Sequence, residues 1–503
     1  MELQPDRQEL LPLTYAPRLA TTALADLPSL VQRPRYKRAD LRMGIVHLGI
    51  GAFHRGHQAS YFEQVLNSGD MRWGSVGASL RSPKVRDQMM PQGGLYTLVE
   101  RDGSHERVQV VGGIQGVLVG PEDPEALVAR LAQPETHVVT LTITEKGYKL
   151  DPLTGRLNTD DADLGEDLAD LSLPRTAPGF LVAALARRRQ DGLSPFTAIS
   201  CDNLPDNGHR LAAAVIEVAR AHDPALAEWV ERYGAFPTTM VDRIVPATDV
   251  SDVAALTELV GYHDEAMVKT EPFTQWVIED RFAGERPDLA AFGVQMTANV
   301  APWEVAKLRL LNGAHSGIAY LGGLAGVDYV HQMVGRPAVR RFVENLWNEA
   351  ASTLSLPEGL DVAAYRSALM QRFANPTLKH RNRQIAMDGS QKLPQRLLAT
   401  IVERRRQEQT VDQLALAVAA WMRWQDGVDD AGIGFEVDDP LAGLIAKRLA
   451  RTNDATDKVA ALLTIEAIFP PELAADEAFR ALLAKRLGAL QDYGALLVLE
   501  GAR

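Results

Sequence analysis

The sequence predicts an α/β protein: a doubly wound parallel sheet within residues 1–296, followed by a mostly helical domain over residues 297–503. Three observations carry this reading. The apolar run MGIVHLGIGAF ends in glycines and is followed by an amphipathic stretch to Asn67 and Gly69, the pattern of strand, tight turn and helix. Further apolar strands then alternate with helical periodicity, and continuous apolar strands imply a sheet covered on both faces. From about Asn299 strand signals vanish and helical periodicity runs to the C-terminus, as in TVDQLALAVAAWMRW.

In chain order, residues 1–42 read as a polar arm with short helical pieces. A second strand falls at 73–79, and a hairpin at 95–112 turns on Asp102-Gly103. A helix over 124–132 precedes the strand HVVTLTIT at 137–144. Residues 151–178, acidic and rich in Pro and Gly, read as a long surface loop. A helix at 180–190 leads into the strand SPFTAIS at 194–200.

Composition narrows the function classes. A chain of 503 residues makes two or three domains and can bury a large core. The net charge of −12 argues against a general nucleic-acid binder. Cys201 is the one cysteine, so no disulfide forms within the chain, which fits a reducing compartment. The opening MELQPDRQELL lacks the apolar core of a secretory leader, and no apolar run approaches the roughly 20 residues of a membrane span. A cytoplasmic location is the expectation.

The turn HLGIGAFHRGH has the context of a dinucleotide turn. Gly49 permits the tight turn, and Gly51 lets the backbone approach a pyrophosphate at the helix start. The usual third glycine is replaced by His54, and a Gly-rich turn between any strand and helix is the plainer alternative. Gly49, Gly51, Phe53, Arg55, Gly56 and, after the second strand, Ser82 are the cofactor-binding candidates. The acid expected roughly 20 residues on, against a ribose hydroxyl, is missing. Arg81 and Lys84 stand near that place and suit a 2′-phosphate, so the turn leaves NAD and NADP both open. His54 and His57 have no Cys or carboxylate cluster beside them, and no metal site is expected.

The segment WEVAKLRLLNGAHSGIAYLG opens the helical half with Lys307, Asn312 and His315 as its main polar residues. On a helix advancing about 100° per residue they fall at roughly 0°, 140° and 80°, within reach of one cleft. An apolar setting lowers a lysine's pKa and makes it a usable base. A partly exposed helix whose lysine reaches to water is the plainer alternative. Three further polar clusters sit at strand ends or in apolar runs: SCDNLPDNG, FPTTMVDRIVP with Asp242 and Arg243, and TITEKGY with Glu145 and Lys146. Each also reads as a turn or a satisfied ion pair, Asp242 with Arg243 in the second.

Taken together, HLGIGAFHRGHQ, TITEKGY, SCDNLPDNG, FPTTMVDRIVP, EPFTQWVIED, KLRLLNGAHS, RFANPTLKHRNRQIAMDGSQKLPQRLL and AVAAWMRWQDGVDD resemble the polyol-specific long-chain (mannitol dehydrogenase) family. They span about residues 44–430 in family order, and K-x4-N-x2-H in its context is specific. The resemblance implies an expanded Rossmann domain, a helical C-terminal domain and metal-independent hydride transfer with NAD. It implies Lys307 as general base and Asn203 and Asn312 as oxyanion-stabilising amides. His315 and Asp242 then meet substrate hydroxyls, and Glu145 and Glu304 line the mouth of the substrate pocket. The implied partner is a small sugar acid or polyol, with the protein a monomer or small homo-oligomer. Within the family the sequence is most similar to the fructuronate reductases (D-mannonate oxidoreductases). That similarity lies in a basic stretch with Lys379, His380, Arg381, Arg383, Lys392 and Arg396, of which Arg383 and Lys392 are the substrate-binding candidates. A mannitol 2-dehydrogenase is the alternative, and a non-catalytic dinucleotide-binding sensor the alternative of another class.

Overall fold

The computed structural model describes residues 16–103, 105–151 and 154–502. The chain divides into two compact units, Met1–Val300 and Ala301–Arg503.

In the first unit five strands pair in parallel: β1 (Ile45–Leu48), β2 (Ser75–Ser79), β3 (Ile114–Val119), β4 (Val138–Leu141) and β5 (Thr197–Ser200). Their spatial order is β3-β2-β1-β4-β5, the order of dinucleotide-binding sheets. Every residue of β1, β4 and β5 is buried, as expected of a sheet covered on both faces. Alternate side chains feed two cores. Val46, Leu48, Val139, Leu141 and Ala198 join the core that includes helices Pro124–Ala132, Ala177–Gln190 and Asn207–His222. Ile45, Val138 and Ile199 join Tyr61, Phe62 and Leu66 of helix Gln58–Asn67, together with Trp276. In register, Leu48 lies level with Ala78 and Leu141, and Leu141 with Ser200. The loops after these four strands therefore leave the sheet from one edge.

Two smaller sheets complete the unit. The expected hairpin is present as Tyr96–Arg101 against Glu106–Val111. It is flanked by Val31–Gln32 on one side and Val268–Thr270 on the other. The described part of the N-terminal arm is thus tied to a sheet rather than loose; residues 1–15 lie outside the described residues. Thr239–Asp242 pairs antiparallel with Gln275–Glu279, which pairs in parallel with Gln295–Thr297.

The span 151–178, expected as a loop, contains the helix Ala162–Ala169. Two of its acids, Asp161 and Asp167, hold main-chain amides rather than standing free in solvent. Asp161 accepts from the Leu164 amide at 3.1 Å. Asp167 is buried and accepts from the Arg175 and Thr176 amides, both at 2.8 Å, and from the Thr176 hydroxyl at 2.6 Å. Thr176 in turn caps Ala177–Gln190, and a Cβ on Gly179 would collide with the Asp167 carboxylate.

Among its described residues the second unit has only helical regular elements. Its centre is Asp412–Trp424, buried at every residue from Leu414 onward. Gly313–Leu324 and Glu477–Glu500 pack on it. A Cβ on Gly323 would run into the Trp424 ring, so glycine sets the approach of the first pair. No helix among the described residues is long and apolar enough to cross a membrane.

Asp167→Ala removes the acceptor of two amides and a hydroxyl in a buried place. It is expected to cost about 3 kcal/mol, read as a lower urea midpoint; an unchanged midpoint would contradict this account of the 161–176 segment.

Candidate active site

Between β1 and β4 the winding of the sheet reverses, and open α/β sheets bind ligands in the crevice at that point. A cleft of about 560 Å³ lies there, lined among others by Gly49, Gly51, Ser79, Arg81, Thr142 and Thr144. Gly49 has φ +92°, and a Cβ on it would collide with the Thr142 carbonyl oxygen. A Cβ on Gly51 would meet nothing nearer than the Gly49 carbonyl oxygen at 3.7 Å. The first glycine thus makes the turn, and the second leaves open space for a close approach.

The other cofactor-binding candidates are not among the residues that line this cleft. Arg55 is buried, donates to the Ala266 carbonyl and lies over the Tyr96 ring at 5.6 Å. Gly56 is a packing glycine, whose Cβ would come within 2.9 Å of Val245. Phe53 stacks on His57 with ring centres 5.2 Å apart. Ser82 donates its amide to Ser79 Oγ at 3.2 Å. His54 stacks on His47 at 3.4 Å, and burial holds both imidazoles far below their ordinary pKa. No group of three or more metal-ligating side chains occurs among the described residues.

The loops after β4 and β5 carry two more candidates. Glu145 is exposed at the start of a short turn, Glu145–Tyr148, and Asn203 is exposed just beyond β5. Between them lies a residue that the sequence did not single out. The Asp202 carboxylate accepts from the Ile143 and Thr144 amides at 3.0 and 2.9 Å and from the Tyr148 hydroxyl at 2.6 Å. Burial pushes this carboxyl up from its ordinary value, against the pull of those hydrogen bonds. Asn207 donates to the Asp202 carbonyl at 3.0 Å and to the Thr239 carbonyl at 2.9 Å. It thereby ties this loop to the strand that ends in the buried Asp242. Arg243 forms its ion pair with Glu100 and also donates to the Glu271 carbonyl.

In the second unit, Glu304 lies on the helix Ala301–Ala306. Lys307, 9% exposed, opens the next segment, and Asn312 closes it. That segment, Lys307–Asn312, is a π-helix rather than the expected α-helix: the Gly313 amide bonds back five residues to the Leu308 carbonyl. In a turn closed by i→i+5 bonds, residues five apart stack one turn above another. Lys307 and Asn312 therefore share a side instead of standing roughly 140° apart. His315, three residues further on an α-helix, returns to that side. Trp347 Nε1 donates to the Leu310 carbonyl at 2.8 Å within the wide turn.

A second π-turn, Pro394–Leu398, packs against the first. Pro394 lacks an amide hydrogen, and its ring would press on the carbonyl four residues back in an α-helix, so the wider turn suits it. Gly313 is needed at the contact, where a Cβ would lie 2.9 Å from the Arg396 carbonyl oxygen.

The His315 ring lies 4.6 Å from Phe373 and 5.6 Å from His380, centre to centre. Its Nε2 is buried without a hydrogen-bond partner. Burial, then His380, Arg372 and Arg396, hold its pKa well below the ordinary histidine value. His380 is pushed down to about 4 by burial and Arg372. Arg396 donates to Ser316 Oγ at 3.2 Å. Burial and Arg396 lower the pKa of Lys392, whose Nζ donates to the Met387 carbonyl at 2.6 Å. Arg383 is exposed and lies over the Phe435 ring at 5.1 Å. Of the basic stretch, then, His380 and Arg396 stand beside His315. Arg372, which opens the RFANPTLKHRNRQ segment but is not among the basic residues singled out there, joins them. His315 is expected to remain a neutral imidazole from pH 8 down to pH 6, observed by ¹⁵N NMR; protonation with a midpoint at 6.5 or above would contradict the environment described.

Residues 43–291 match the family model of the mannitol dehydrogenase Rossmann domain, and residues 299–491 that of the mannitol dehydrogenase C-terminal domain. D-mannonate oxidoreductase of Escherichia coli (strain K12) is 42% identical over 457 residues, 90% of this chain and 94% of that one. Mannitol 2-dehydrogenase of Aspergillus terreus (strain NIH 2624 / FGSC A1156) is 41% identical over 462 residues, 89% of this chain and 91% of that one. The solved structure of Pseudomonas fluorescens mannitol 2-dehydrogenase, a ternary complex with NAD and D-mannitol, has a TM-score of 0.82 and 35% identity, covering 96% of this chain and 99% of that chain. With both of its halves matched in this way, the chain belongs to the mannitol dehydrogenase family, oxidoreductases that act on CH–OH groups.

Proposed function

We propose that this protein interconverts D-mannonate and D-fructuronate, using NAD(H) and a lysine as general acid and base. The observation that carries the sugar-acid reading is the company of His315: Arg372, His380 and Arg396, with Lys392 near Arg396. Guanidinium groups suit a carboxylate, whereas the hydroxymethyl end of a polyol brings no charge to place. Arg396 and Lys392, rather than Arg383 on Phe435, are the cations we assign to that carboxylate. Overall similarity does not choose, since the mannonate and mannitol relatives stand at 42% and 41% identity. Mannitol–fructose is therefore the second reading. The two reactions are closely related, because carbon 5 of mannonate has the local stereochemistry of the equivalent carbons 2 and 5 of mannitol.

The cleft suits a dinucleotide because Gly49 turns the chain there and the space beside Gly51 is open. When bound, the nicotinamide accepts the hydride in oxidation and supplies it in reduction. In oxidation Lys307, as the free amine, takes the hydroxyl proton; in reduction, as the ammonium, it gives the proton back. Asn203 and Asn312 donate amide hydrogens to the oxygen on which charge grows, and such preorganised donors are typically worth about 3 kcal/mol each. His315, as the neutral imidazole, and Asp242 take substrate hydroxyls, while Glu145 and Glu304 line the approach.

Lys307→Ala is expected to leave NADH binding intact and to lower turnover at least about a thousandfold, measured as kcat alongside NADH fluorescence; near-normal turnover removes the assigned role. Initial rates of NADH oxidation with D-fructuronate and D-fructose at equal concentration test the substrate. A larger kcat/KM for fructuronate is expected, and a preference for fructose makes the second reading the correct one. The same rates with NADPH test whether Arg81, at the end of β2 where no acid stands, admits a 2′-phosphate.

A further inference from the structure

Asp202 does more than satisfy its own loop. Both carboxylate oxygens are engaged, Oδ1 with the Thr144 amide and Oδ2 with the Ile143 amide and the Tyr148 hydroxyl. Tyr148 is itself buried and also bonded to Ser200 Oγ. Thr144 has φ +65° and ψ 164°, a conformation that a β-branched residue rarely adopts and that persists only where surroundings enforce it. The Asp202 bond to its amide is such an enforcement. Thr142, Ile143 and Thr144 all line the cleft, and Glu145 follows directly. On its other side, the Asp202 carbonyl accepts from the Leu204 amide at 2.9 Å. That bond closes a three-residue turn with Asn203 at its centre. The same carbonyl accepts from Asn207 at 3.0 Å.

We propose that Asp202 is a positioning residue for both halves of the reaction: its carboxylate holds the strained 143–145 loop against the dinucleotide cleft, and its carbonyl presents Asn203 to the reacting oxygen. The inference rests on the reading of Asn203 and of the cleft given above. Asp202→Asn keeps the shape but turns one acceptor into a donor. With the amide oxygen in the place of Oδ2, both the Ile143 amide and the Tyr148 hydroxyl keep their acceptor, so the NH2 group is left facing the Thr144 amide. The strained residue then loses its restraint.

The test is the NADH dissociation constant by fluorescence, kcat and KM with the ketose substrate, and the unfolding midpoint, for Asp202→Asn and Tyr148→Phe. Asp202→Asn should weaken NADH binding about tenfold and lower kcat about tenfold. Tyr148→Phe, which keeps both amide bonds, should give a smaller loss in the same direction, about threefold. A change confined to the unfolding midpoint, with NADH affinity and kcat at wild-type values, overturns the proposal. If Asp202→Asn does not fold, Tyr148→Phe decides, and unchanged NADH affinity and kcat overturn it equally. NADH binding needs no ketose. A wild-type protein that binds NADH but reduces neither fructuronate nor fructose would end the substrate reading and leave the affinity comparison at Asp202 standing.

Discussion

The common register of the parallel strands is the constraint on which the first unit depends. Because Leu48, Ala78, Leu141 and Ser200 end level with one another, four unrelated loops begin at one edge. Those loops supply the glycine turn, Arg81, the strained Thr142–Glu145 segment and Asn203. A one-residue slip of any strand would turn its buried residues to the opposite face and move its loop along the edge. The two hydrophobic cores, one on each face, resist such a slip. Chemistry at the strand ends is held in place by packing several residues away.

Several polar groups inside this frame tie its elements together. His47 bridges Thr140 and Thr142 at 2.7 and 2.9 Å, so the imidazole under the turn also ties β1 to the loop after β4. Arg55 and Arg243, both buried, donate to main-chain carbonyls of the neighbouring strands' loops. Buried charges are costly unless paired and hydrogen-bonded; Arg243 pairs with Glu100, and Arg55 is met by the Gly51 and Ala266 carbonyls. In the second unit burial, with Arg372 adding to it, holds the His315 and His380 imidazoles below their ordinary pKa.

Elements with a strong period were legible in the sequence. β1 follows from a continuous apolar run ending in glycines and the hairpin on Asp102-Gly103 from its turn residues, and the helix Pro124–Ala132 lies where it was expected. Gly49 and Gly51 were legible because a glycine turn after a buried strand has few uses. Arg55 was not, because position beside a turn says nothing about which way a long side chain folds. The helix Ala162–Ala169 was hidden by its composition, as Asp161 and Asp167 read as solvent-facing until their amide partners are seen. Asp202 was hidden within a polar cluster for the same reason. The π-turn at Lys307 was invisible in principle to a reading that advances every helical residue by the same angle.

That wide turn also bears on how such a protein changes over time. A π-turn is one residue more than an α-helical turn, accommodated without breaking the helix on either side. Losing one residue from 308–311 would restore α-helical winding and leave Lys307 and Asn312 four places apart, still about 40° from one another and on one side. The apolar residues from Ala314 to Leu324, packed on Asp412–Trp424, could keep their places. A one-residue deletion or insertion there would thus change the width of the turn while leaving the packed helix beyond it in register.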